Sequence, residues 1–182
     1  PQVKAVAYTE TAPASAASYS EYVLDMATGS ELYAHDADKI RYPASLTKMM
    51  TLYLLFDEVA SGRYSLSSPL TVSARAASQP PAKLGLKAGS TITVEQAARA
   101  LAVKSANDVA VAIAENISGS EDAFAARMNA QARALGLTRT RFANASGLPD
   151  PPPQEFQVSQ FVSVTSGSSQ ESTRALLNCG SI

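Results

Sequence analysis

Hydrophobic positions change their spacing several times along the chain, and each change marks an element. Tyr19 to Met26 (Tyr-Ser-Glu-Tyr-Val-Leu-Asp-Met) has strand character, and Thr28-Gly29-Ser30 supplies a turn. Glu31 to His35 then returns as a second strand, so the two form a hairpin. Pro43 suits the first turn of a helix. From Ala44 to Val59 the apolar residues Leu46, Met49, Met50, Leu52, Tyr53, Leu54, Leu55, Phe56 and Val59 cover most of a helix circumference. A helix that is apolar nearly all round is expected to be buried and central. Gly62 stops it.

Residues 64–92 read as loop, broken by Pro69, Pro80, Pro81, Gly85 and Gly89. Thr93-Val94-Glu95-Gln96 has the form of a capping box and opens a helix to about Val103. Asp108 to Asn116 is a second helical run. Ser120 caps a third, with Glu121 and Asp122 in its first turn and Gly136 past its end. The ends of the chain read differently. Residues 1–18, rich in Ala, Ser and Thr, are expected to be a flexible leader. After Pro151 the pattern dissolves into a proline triplet and scattered Gln and Ser, so 151–182 is expected to be an irregular or disordered tail. The folded domain then spans 19–150.

Two short motifs carry chemistry. Ser45-Leu46-Thr47-Lys48 places a hydroxyl and an amine one helical turn apart, on one face. A serine hydroxyl becomes a nucleophile when a base takes its proton, and a lysine serves as that base when burial lowers its pKa. Lys48 lies in an apolar run where a solvated lysine would be out of place. Without such burial the same four residues are a helix cap and a surface lysine. Ser105-Ala106-Asn107 falls between two helical segments, where hydroxyl and amide can face one way across a tight turn. It also suits a plain helix cap.

Composition narrows the rest. The chain has 182 residues, 46% apolar and 17% charged, enough for one domain with a substantial core. A net charge of −1 and the absence of Trp give no footprint for nucleic acid. No apolar run is long enough to span a bilayer. Cys179 is the only cysteine and His35 the only histidine, so no zinc cluster and no cofactor are expected. A Ser-His-Asp triad would have to recruit His35, at a strand end, and a lysine base makes that unnecessary.

Taken together, Ser-x-x-Lys and Ser-x-Asn are two of the three motifs shared by penicillin-binding proteins and class A β-lactamases. Arg41 to Thr51, Lys104-Ser105-Ala106-Asn107-Asp108 and Asn144-Ala145-Ser146-Gly147-Leu148-Pro149-Asp150 resemble the serine D-alanyl-D-alanine carboxypeptidases, the low-molecular-weight penicillin-binding proteins. The resemblance covers about residues 18–150. It implies an α+β, β-lactamase/transpeptidase-like fold with a helical cluster on an antiparallel sheet, here reduced to the N-terminal hairpin. It also implies Ser45 as the acyl-enzyme residue, Lys48 as general base, and Ser105 and Asn107 as proton relay and substrate contacts. The implied ligands are a peptidoglycan stem peptide ending in D-Ala-D-Ala and β-lactam antibiotics, in a periplasmic or extracytoplasmic setting. The sequence indicates no oligomeric state.

The family's third motif, Lys-Thr-Gly, is missing, and no lysine follows Asp150. A truncated or frame-shifted C-terminal part is expected, with low activity. Two alternatives remain: a β-lactamase-like hydrolase and an inactive peptidoglycan-binding remnant. The first needs a glutamate to activate the deacylating water. None of Asp108, Glu115, Glu121, Asp122, Asp150 and Glu155 stands in the Glu-x-x-x-Asn spacing.

Overall fold

The computed structural model describes residues 20–39 and 41–149, together with the backbone of one strand at 174–179. Strands β1 (Ser20–Asp25) and β2 (Glu31–His35) form the expected antiparallel hairpin, with an irregularity in register between Val23 and Leu24. Gly29 takes a left-handed conformation in its turn, with φ of +71°, which glycine adopts without strain.

The helical run after Pro43 begins as a single 3₁₀ turn, Ala44–Leu46, and continues as α1 (Thr47–Ala60). Its burial departs from the expectation of a helix enclosed all round. Met50, Leu54 and Leu55 are in the core, whereas Met49 and Phe56 are 40% and 48% exposed. Tyr53, four residues from Met49, is also exposed, so one apolar stripe of α1 is uncovered.

The stretch expected to be loop contains β3 (Pro69–Thr71), a short α2 (Ala74–Ala77) and β4 (Thr91–Thr93). β3 and β4 pair antiparallel, with Leu70 opposite Ile92 and both buried. Strands of three residues are too short to display an alternation, and Pro69 sits at the first position, where no ladder donor is required.

Three helices follow: α3 (Val94–Lys104), α4 (Asn107–Ser118) and α5 (Glu121–Ala134). The capping box is present: Thr93 Oγ1 accepts from Gln96 N, and Thr93 N donates to Gln96 Oε1. Ser120 caps α5 by accepting from Ala123 N. α4 is the innermost helix. Its residues 107–114 are all buried, and it packs on α1, α2, α3, α5 and β3.

The tail expected to be irregular lies outside the described residues except for β5 (Arg174–Cys179), which pairs antiparallel with β1. The first sheet therefore has the order β2-β1-β5 and is not a hairpin alone. The leader at 1–18 lies outside the described residues.

Leu54 is 1% exposed in the cluster shared with α4. Leu54→Ala is expected to lower stability by about 2–5 kcal/mol, measurable by urea denaturation.

Candidate active site

Ser45 lies in the middle of the 3₁₀ turn and is exposed. The residue before it, Ala44, has φ of +46°, a left-handed conformation that a non-glycine residue adopts at some cost. Lys48 follows one turn on, as the second residue of α1, and is only 4% exposed. Its Nζ donates to the carbonyl of Ser146 at 2.7 Å. Burial lowers the Lys48 pKa from 10.5 to about 8. The alternative of a surface lysine behind a helix cap is thereby removed.

Ser105 ends α3 in a left-handed conformation, φ 52° and ψ 39°. Its hydroxyl is buried and has no hydrogen-bond partner among the described residues. Buried polar atoms of this kind are uncommon and ask for an explanation in terms of function or a missing partner. Asn107, expected in a loop, is instead the first residue of α4 and is 4% exposed. Its backbone N–H donates to Ala82 O at 2.8 Å and its side-chain Nδ2 to Pro80 O at 3.1 Å. With the amino group engaged, the Asn107 carbonyl oxygen is the side-chain acceptor that remains. α1 and α3 each pack on α4, so the helices that carry the two motifs are direct neighbours.

Several structural contributors were not legible beforehand. Asp108 is fully buried, and its carboxylate accepts from the N–H groups of Leu84, Gly85, Leu86 and Val109. It thereby fastens the 84–86 segment to the start of α4, beside Asn107. A second contributor is the turn at 144–148. Thr51 Oγ1 donates to Ala145 O at 2.7 Å, next to the Lys48–Ser146 bond. Glu121 Oε1 accepts from Ala145 N, and Arg75 donates to Glu121 Oε2 at 2.6 Å. The Asn-x-Ser-Gly string is a turn signal in sequence, but its docking on α1 spans nearly a hundred residues.

His35 lies at the end of β2, 3.9 Å from the Asp36 carboxylate. Among the described residues there is no cluster of His, Cys, Asp and Glu suited to a metal, and no helix long and apolar enough to cross a membrane.

A serine thus stands one turn before a buried lysine of lowered pKa, on a helical cluster flanked by a small antiparallel sheet. Comparison with known proteins agrees in fold and in sequence. Residues 6–167 match the D-alanyl-D-alanine carboxypeptidase family, and the chain belongs to that family. D-alanyl-D-alanine carboxypeptidase DacF of Bacillus subtilis is 37% identical over 129 residues, 71% of this chain and 33% of the relative. The crystal structure of D-alanyl-D-alanine carboxypeptidase DacD from Francisella tularensis superimposes with a TM-score of 0.73 at 32% identity, over 87% of this chain and 38% of that one. A penicillin-binding protein of Listeria monocytogenes in its cefotaxime-bound form gives a TM-score of 0.65 at 29% identity, over 77% of this chain and 56% of that one. The α+β fold expected from the resemblance is therefore that of these enzymes. The chain spans about a third of the length of the curated relatives it matches.

The Lys48 pKa has a consequence for stability. The folded value lies below the ordinary one, so the folded chain holds the proton less firmly than the unfolded chain does. Stability must therefore rise with pH between about 8 and 10.5, by about 3 kcal/mol in all from this residue. Lys48→Met should lack this rise. Urea denaturation of both chains across that pH range measures the difference.

Proposed function

We propose that the chain carries the acylation machinery of a serine D,D-carboxypeptidase acting on the D-Ala-D-Ala end of peptidoglycan stem peptides, outside the cytoplasmic membrane. The observation that carries this reading is the buried amine of Lys48, one helical turn after Ser45 and with a pKa of about 8. At neutral pH a base of that pKa is unprotonated in roughly one molecule in ten, against fewer than one in a thousand for an ordinary lysine. The neutral amine takes the proton of the Ser45 hydroxyl as its oxygen attacks the carbonyl carbon of the penultimate D-Ala.

The C–N bond then breaks. The leaving amine of the terminal D-Ala receives a proton through the Ser105 hydroxyl, whose lack of a described partner leaves it available for such a relay. Asn107, fixed by Pro80 and Ala82, presents its free carbonyl oxygen to an N–H of Lys48 or of substrate. Water hydrolyses the ester on Ser45 and restores the hydroxyl. A β-lactam carries a strained amide that the same serine opens, in keeping with the cefotaxime-bound relative.

Lys-Thr-Gly does not occur in the sequence. In the family resemblance that motif clamps the substrate carboxylate, and its strand supplies an oxyanion-hole amide. A second reading is a chain that binds cell-wall peptides without turning them over.

Incubation with labelled penicillin followed by intact-mass analysis distinguishes the two. The expected result is a single adduct that Ser45→Ala and Lys48→Ala abolish. A chain that remains unlabelled after prolonged incubation, yet is still retained on cell-wall fragments, would establish binding without catalysis.

A further inference from the structure

Asn144 stands outside both motifs, yet it organises the contact of Lys48. Its Oδ1 accepts three hydrogen bonds from the next turn of chain: Gly147 N at 2.7 Å, Ser146 N at 3.1 Å and Ser146 Oγ at 3.3 Å. Its Nδ2 donates to Leu148 O at 2.8 Å. One side chain thus closes residues 144–148 on themselves, as asparagine does in tight turns. Besides the Thr51 bond to the Ala145 carbonyl, the closed turn meets the start of the helix at two further places. The Ser146 carbonyl receives the Lys48 amine. Gly147, at φ of +79°, passes so near the nucleophile's turn that a Cβ there would lie 1.8 Å from the Ala44 carbonyl oxygen and 2.8 Å from Thr47 Oγ1. The one residue between Ala44 and Leu46 is Ser45.

We propose that Asn144 is a positioning residue, which shapes the 144–148 turn so that it holds the amine of Lys48 and the backbone ahead of Ser45 in one arrangement. This rests on the reading of Ser45 and Lys48 as nucleophile and base, but its geometric part concerns the resting protein and is testable there. The turn is anchored independently on its other side, where Glu121, paired with Arg75, accepts from Ala145 N. Loss of Asn144 should therefore loosen the aim of the Ser146 carbonyl without detaching the segment. A buried ammonium that loses an acceptor is disfavoured further, so Lys48 should give up its proton more readily.

The test follows the titration of Lys48 by NMR in the full 182-residue chain with labelled lysine, using Lys48→Met to assign the signal. Asn144→Ala is expected to move the midpoint downward by about 0.5 or more. Asn144→Asp keeps the acceptor oxygens and adds negative charge, and it should hold the midpoint at or above that of the original chain. Should Asn144→Ala melt below the measuring temperature, Asn144→Leu, which also lacks a side-chain acceptor, replaces it with the same expected direction. An unchanged or raised midpoint in the variant lacking the acceptor overturns the proposal, since the turn would then act only as a cover against water. Equal downward shifts in the alanine and aspartate variants overturn it as well. Where the original chain is labelled by penicillin, labelling should slow about tenfold in Asn144→Ala and recover in Asn144→Asp. An original chain that is not labelled counts against the catalytic reading alone, because the titration still decides the role of Asn144.

Discussion

Taking an ammonium group out of water costs several kcal/mol unless acceptors replace its hydration. The second residue of α1 is nevertheless a lysine, 4% exposed, whose amine meets a backbone carbonyl 98 residues further along the chain. Such a contact persists only if the carbonyl is held in place by something other than the lysine. The chain supplies this from three directions: Asn144 closes the turn, Thr51 binds the neighbouring carbonyl of Ala145, and Glu121 binds the Ala145 amide from the start of α5. The resulting amine holds its proton less firmly than an ordinary lysine, and the destabilisation it carries is the same quantity that suits it to the proposed role of base.

The second motif is held by a different device. The start of α4 is buried on all sides, which leaves its flanking loop short of partners unless side chains supply them. Asp108 answers with a carboxylate that gathers four amide N–H groups, three of them from consecutive residues at 84–86. Asn107 gives its backbone and side-chain N–H groups to the same loop at Ala82 and Pro80. Four hydrogen bonds converging on one side chain rigidify a loop that has no regular structure of its own. Ser105 sits at the entrance to this arrangement, in a left-handed conformation and without a partner among the described residues.

Much of this was legible in the chain itself, because its signals are local. The capping box at Thr93, the Ser120 cap and the hairpin turn at Gly29 each depend on residues within a few positions of one another. The burial of Lys48 could be inferred because a lysine inside a run of Met and Leu has few other places to go. What escaped the sequence depends on distant or conformational facts. The pairing of Leu70 with Ile92 joins strands too short to show a period. The pairing of β5 with β1 brings together stretches about 150 residues apart in a region of weak pattern. The left-handed Ala44 has no compositional mark, since alanine ordinarily avoids that conformation.

Ala44 and Gly147 explain each other. The carbonyl of Ala44 occupies the space that a side chain at 147 would fill, so a glycine is required there on grounds of contact as well as of φ. The strain at Ala44 is then tolerated because the turn beneath it is over-determined by Asn144, Thr51 and Glu121. The proposed nucleophile and base lie three residues apart in sequence, but their relative placement is not a property of α1 alone. A free helix carrying Ser-x-x-Lys would leave its lysine in solvent and its serine ordinary. The 144–148 turn, packed against the first residues of the helix, receives the amine of this common four-residue string and covers it from solvent.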